Sequence, residues 1–270
     1  IMINKIKLNL AVFSALVFVA GCAMQDEVAE ESGTVYEEFM ACQAGPDYTS
    51  DNMTNMIAEW QMLIKEVEAL TGAWGYVPAA ETNSSGDTIW WELQWSSQDA
   101  ADAAWAQWSS NEDAAKWENK YSSVLDCDGE ARGSFDVAYT NSATFGELGD
   151  NGYFYSEVYQ CSYNEGSAKD SAMDFLPLYE GALDEGYAGT AFQAGNYYQQ
   201  GNEDGFLWVN FTNSKDSMDK ASAAFAATTR DKMFPIFSEF ATCEESPDLY
   251  HGWTLYWSDT KDFMPTFPSS

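Results

Sequence analysis

His251 is the only histidine in the 270-residue chain. An imidazole titrates near neutral pH unless perturbed, so His251 is the first candidate for acid or base work. Chemistry that needs two histidines is excluded, and the sequence has no His-Glu-x-x-His, Cys-x-x-Cys or Walker-type glycine loop. It has no Gly-x-Ser-x-Gly elbow either. Trp208 and Asn210 alternate along one strand-like run. Carboxylates are abundant, with 43 acidic residues against 12 basic ones and a net charge of −31. Asp126, Asp128 and Glu130, grouped around Gly129, are hard oxygen donors of the kind Ca²⁺ takes. They lack the spacing of a calcium loop and read as a solvated acidic turn, so no metal site is expected. A surface this acidic repels phosphate backbones, so nucleic acid is not expected as a partner. With 16% aromatic residues and 11 tryptophans, the chain has material for cores and does not read as disordered.

The elements that position these residues occur twice. Tyr36-Glu37-Glu38-Phe39-Met40-Ala41-Cys42 parallels Tyr155-Ser156-Glu157-Val158-Tyr159-Gln160-Cys161, and Leu125-Asp126-Cys127 parallels Ala241-Thr242-Cys243. In the first copy the patterning predicts a strand at 35–42 and a helix at 52–70, stopped by Gly72. A hairpin follows, with strands 74–80 and 88–95 around Asn83 to Gly86. Helices at 99–108 and 112–124 and a strand at 134–141 complete the copy. The second copy repeats the order with a strand at 153–162, a helix at 168–183, a hairpin across 187–211, helices at 216–225 and 230–240, and a strand at 250–257. The expected organisation is a signal peptide (1–21), a lipidated tether (22–33), domain 1 (34–141), a linker (142–152), domain 2 (153–258) and a tail (259–270).

Each copy reads βαββαβ, an α+β pattern that resembles the ferredoxin-like fold. In that topology the end of the first strand lies beside the start of the fourth. The resemblance therefore implies disulfides Cys42 with Cys127 and Cys161 with Cys243, out of the three pairings that four cysteines allow. Two such domains in one chain resemble the dimeric α+β barrel superfamily in fused form. Counting back from the distal cysteines pairs Trp91, Leu93 and Trp95 with Leu207, Val209 and Phe211, an apolar face suited to packing under helices. The alternates Trp90, Glu92, Gln94, Phe206, Trp208 and Asn210 then fall on the other sheet face. In the barrel arrangement those faces meet as a shared interior, which makes these six residues the candidate pocket.

The superfamily resemblance also bears on chemistry. Small monooxygenases and haem-degrading enzymes of this superfamily use Asn, Trp and His around their substrate, and Asn210, Trp208 and His251 are similar to that set in type.

The amino-terminal stretch gives an address. Lys5 and Lys7 precede an apolar run from Leu8 to Ala20, which ends in Val19-Ala20-Gly21-Cys22. The layout is that of a signal peptide, and the last four residues resemble the lipobox of bacterial lipoproteins, with lipid on Cys22. Ala23 in place of Asp resembles lipoproteins sent on to the outer membrane. The expected location is therefore the cell envelope, where disulfides form. The leading expectation is a non-enzymatic module binding a small molecule or an envelope partner, with no cofactor. The alternative is a cofactor-free or haem-dependent oxidative enzyme.

Overall fold

The computed structural model of the protein describes residues 34–140, 152–186 and 192–258. The expected signal peptide, Cys22, the tether, the tail and the linker up to residue 151 lie outside the described residues. Both copies belong to one compact unit that starts at Thr34.

The first half comprises β1 (Val35–Ala44), α1 (Ser50–Leu63), β2 (Leu70–Pro78), β3 (Ile89–Trp95), α2 (Gln98–Ser109), α3 (Glu112–Tyr121), β4 (Leu125–Cys127) and β5 (Gly133–Tyr139). The second comprises β6 (Tyr153–Tyr163), α4 (Lys169–Gly186), β7 (Gln193–Gln199), β8 (Gly205–Thr212), α5 (Lys215–Ala224), α6 (Arg230–Phe240), β9 (Ala241–Cys243) and β10 (Asp248–Trp257), with one π turn (Phe225–Thr229) joining α5 to α6. Helix starts carry their own signals. Thr49, Ser97, Asn111 and Ser214 each accept a hydrogen bond from a first-turn amide through the side chain, satisfying donors with no helical partner.

The first helix is shorter than its periodicity predicts. It ends at Leu63, and Leu70 begins β2, laddered against Trp95 with its side chain buried. Gly72, expected to stop that helix, instead lies in the strand beside a bulge, where an added Cβ would meet the Trp74 ring. Tertiary pairing has overridden the helical period here.

All strand pairings are antiparallel, and the long strands form a closed circuit, β2-β3-β1-β5-β7-β8-β6-β10 and back to β2. Two seams join the halves, β10 on β2 and β5 on β7. Closure leaves no free edge among these eight strands, which removes the template for unwanted strand addition. One apolar cluster fills the barrel, including Tyr76, Phe135, Val137, Phe154, Tyr197, Val209, Phe211 and Tyr250. Its rings meet edge to face, as Phe39 does with Phe135 at 5.3 Å and Tyr76 with Phe154 at 5.4 Å. Outside the barrel, the helices of each half cover its sheet and enclose a further core.

The short strands β4 and β9, not anticipated from the sequence, extend the ladders on β1 and β6. They carry the distal cysteines, and the disulfides are Cys42–Cys127 and Cys161–Cys243. With partners separated by 85 and 82 positions in sequence, each bridge contributes about 4.5 kcal/mol in the chain-entropy account.

Candidate functional site

In the second half, β6 and β8 turn Glu157, Tyr159, Trp208 and Asn210 away from the barrel and toward α4, α5 and α6. Between this sheet face and the helices lies a cavity of about 640 Å³. Its apolar wall includes Phe175 and Tyr179 from α4, Phe225 from the π turn, and Met233 and Phe237 from α6. Trp208 forms part of the floor, with its ring 4.9 Å from that of Tyr179 and 5.7 Å from that of Phe237, both nearly perpendicular.

The floor has a polar chain. Trp208 Nε1 donates to Asn210 Oδ1 at 2.8 Å, and Asn210 Nδ2 and the Tyr159 hydroxyl donate to Glu157 Oε2 at 3.5 and 3.3 Å. Glu157 makes no ion pair among the described residues. Burial raises its proton affinity above the ordinary carboxyl value, opposed by the donors on Asn210 and Tyr159. An apolar cavity with a few convergent polar groups and a perturbed carboxyl is the usual form of a small-molecule site.

This geometry corrects the expected pocket. Trp90, Glu92 and Gln94 do face the barrel interior, Trp90 and Glu92 within its packing and Gln94 hydrogen-bonded to Thr71 at 2.8 Å. Phe206, Trp208 and Asn210 do not join them, because the interior positions of β8 belong to Leu207, Val209 and Phe211. Phe206 and Trp208 instead pack in the core under the helices. The ladders show why: Cys42 pairs with Ile89 and Cys161 with Phe206, so Trp91 corresponds to Trp208. Counting back from the distal cysteines slips by one residue, and a slip of one turns every side chain to the opposite face.

The catalytic trio is likewise split. His251 lies on the outer face of β10, where its Nδ1 meets the Tyr153 hydroxyl at 2.8 Å beside the rings of Tyr155 and Trp253. It does not line the cavity that holds Trp208 and Asn210. Burial lowers its proton affinity. A haem held through histidine therefore does not fit the cavity, whose lining contains no imidazole.

The acidic turn at 126–130 serves its own backbone: Asp128 Oδ1 accepts from the amides of Glu130 and Ala131, both at 3.1 Å. Among the described residues no group of three or more His, Cys, Asp or Glu is placed to hold a metal.

Three carboxyl groups escaped the sequence reading. Glu157 and its counterpart Glu38 stand four residues before the proximal cysteine of each copy, so the repeat itself carried the signal. Glu37 lies inside the barrel beside Glu92, at 0% and 1% exposure. Tyr139 donates to Glu37 at 3.0 Å and is itself 2.7 Å from the Tyr197 hydroxyl, while Tyr76 donates to Glu92. Burial raises Glu37 well above the carboxyl range, and the charge of Glu92 and a hydrogen bond to it raise it further. Burial also raises Glu92, offset by the donors around it. Both carboxyls therefore favour the protonated form more than a solvated carboxyl does.

No protein-family model matches the chain, and no curated protein matches it. Solved structures do. A provisionally assigned monooxygenase from Lactobacillus acidophilus NCFM aligns with a TM-score of 0.50 at 9% identity, over 88% of this chain and 99% of its own. A provisionally assigned chlorite dismutase aligns at 0.48 and 10% identity, over 86% and 99%. The chlorite dismutase of Candidatus Nitrospira defluvii, in complex with imidazole, aligns at 0.46 and 13% identity, over 83% and 93%. The likeness is one of fold: the chain is an α+β protein whose tandem ferredoxin-like halves close into a dimeric α+β barrel fused in one polypeptide.

Proposed function

We propose that the protein is a lipid-anchored component of the bacterial envelope that binds a small, largely apolar molecule in the cavity of its second half. One observation carries the binding reading: the cavity of about 640 Å³, whose aromatic walls converge on the polar chain Trp208, Asn210 and Glu157. Titration with the neutral fluorophore N-phenyl-1-naphthylamine tests it. Ser222 lines the cavity from α5, and Ser222→Trp narrows it. The expected result is saturable binding that weakens at least tenfold in that variant, and unchanged binding in the variant overturns the reading.

The anchoring part rests on the sequence around Cys22 and on the two disulfides, which suit an oxidising compartment. Intact mass of the protein taken from its native membrane should show the first 21 residues removed, a diacylglycerol adduct, and a gain of four hydrogens on reduction. A free thiol at Cys22 removes the anchor.

A second reading is oxidative turnover of the bound molecule without a cofactor. Glu157 favours it, since a half-buried carboxyl of raised proton affinity at the end of an apolar cavity suits proton removal. The neighbour described as a monooxygenase shares the fold. Ligand-dependent dioxygen uptake that Glu157→Gln abolishes while binding persists separates turnover from binding alone. A Soret band in the natively purified protein would revive haem.

A further inference from the structure

Glu38 and Glu157 occupy the same position of the duplicated strand, each turned under the helices of its own half. The first half closes over its copy. Glu38 is 2% exposed and accepts from Trp95 Nε1 at 2.9 Å, Trp105 Nε1 at 2.6 Å, the Tyr36 hydroxyl at 3.3 Å and the Arg132 guanidinium at 3.3 Å. Arg132 also lies over the Trp105 ring at 4.1 Å. A cation and two indoles thus satisfy the carboxylate.

The second half lacks all three closing groups. Ser97 and Ser214 are equivalent helix caps, so Trp95 and Trp105, two residues before and eight after the first cap, correspond to Thr212 and Ser222. β5 starts at Gly133 opposite Phe39, and β10 at Asp248 opposite Val158, so the residue before each strand is Arg132 in one half and Pro247 in the other. Two tryptophans have become small side chains and the arginine a proline. Glu157 lines the space so opened, whereas Glu38 does not line the first half's cavity of about 790 Å³.

We propose that the second-half cavity takes an organic cation with a flat apolar body. Its charge meets Glu157 as Arg132 meets Glu38, and its body packs where the first half places the indoles of Trp95 and Trp105. The inference rests on that cavity being the ligand site. A half-buried carboxylate without a cation carries part of its desolvation cost unmet, and a bound cation offsets it. Aromatic faces around it add cation–π attraction. At the rim, Arg230 is exposed over Phe234, with Glu244 and Glu245 also lining the cavity, and Lys215 is held by Asp219 at 3.0 Å. The net charge of −31 draws cations toward the protein as a whole.

Calorimetric titration of the full chain tests the inference with three probes of one shape: phenylethylammonium, neutral 2-phenylethanol and anionic 3-phenylpropionate. The ammonium should bind at least tenfold tighter than the alcohol, and the carboxylate weakest. Glu157→Gln should erase the ammonium's preference over the alcohol. It barely alters the net charge, so any loss belongs to the site. Equal binding of ammonium and alcohol, or a preference that survives Glu157→Gln, overturns the cation inference and leaves the cavity reading standing. If none of the three binds, the cavity reading falls with it.

Discussion

Glu37 and Glu92 are enclosed among tyrosines, and neither makes an ion pair among the described residues. Both have raised proton affinities in the folded state, so the native protein holds more protons than the unfolded chain above the ordinary carboxyl range. Stability from this pair is therefore complete below the unfolded carboxyl value and is lost as pH rises through the raised folded values. Glu37→Gln keeps the hydrogen-bonding shape without the titration. Against wild type, it should gain stability with rising pH, reaching on the order of 1 to 3 kcal/mol at pH 8. Parallel pH profiles in denaturant melts would contradict the raised proton affinity of Glu37. The outer carboxylates should respond oppositely to one another. Removing Glu38 strands the partly buried Arg132 and two indole donors, so Glu38→Ala should cost about 3 kcal/mol. Glu157→Gln removes an uncompensated charge and should be neutral or stabilising at pH 7 in the same melts.

At the level of the elements, the facing of β8 decides where the site is. Val209 is 4% exposed inside the barrel, while its neighbour Asn210 lines the outer cavity. Val209→Asn should therefore cost about 3 kcal/mol, from a polar group buried among rings, and Asn210→Val less than about 1 kcal/mol. The reverse order of effects, read from urea midpoints, would restore the opposite facing. The order of elements was legible because both copies repeat it, and the disulfides were legible because that order has one corner where first and fourth strands meet. The facing of β8 was not, because the helical connections differ in length. From the residue opposite the proximal cysteine, Ile89 or Phe206, the distal cysteine lies one residue farther in the first half. There the helices break at Ser110 and Asn111, whereas the second half runs through a π turn. Periodicity fixes a strand's two faces but not which faces inward, and only the ladder from Cys161 to Phe206 settles that. Glu37 and Glu92 are diagonal neighbours on the β1–β3 ladder, a contact that depends on strand register and that no local pattern encodes.

Across the whole molecule, the two halves are joined by backbone rather than by packing alone. The seams run from Tyr250 opposite Pro78 to Trp257 opposite Gly72, and from Phe135 opposite Gln199 to Tyr139 opposite Gly195. The interior cluster draws Tyr76, Phe135 and Val137 from one half and Phe154, Tyr197, Val209, Phe211 and Tyr250 from the other, so neither half owns a complete core on that side. Gly252, on the β10 seam, has the Phe154 ring where a Cβ would stand, which ties the seam's backbone to the interior packing. A half cut free would expose two unpaired strand edges and the rings of its inner face, and such surfaces associate. The full chain should therefore unfold in one transition, with far-ultraviolet and tryptophan signals coincident. A fragment of residues 34–141 should form a self-paired dimer or aggregate in sedimentation, with β2 and β5 meeting their copies. A stable folded monomer of that fragment, or two separated transitions in the full chain, would mean that the halves are independent domains and that the seams contribute little.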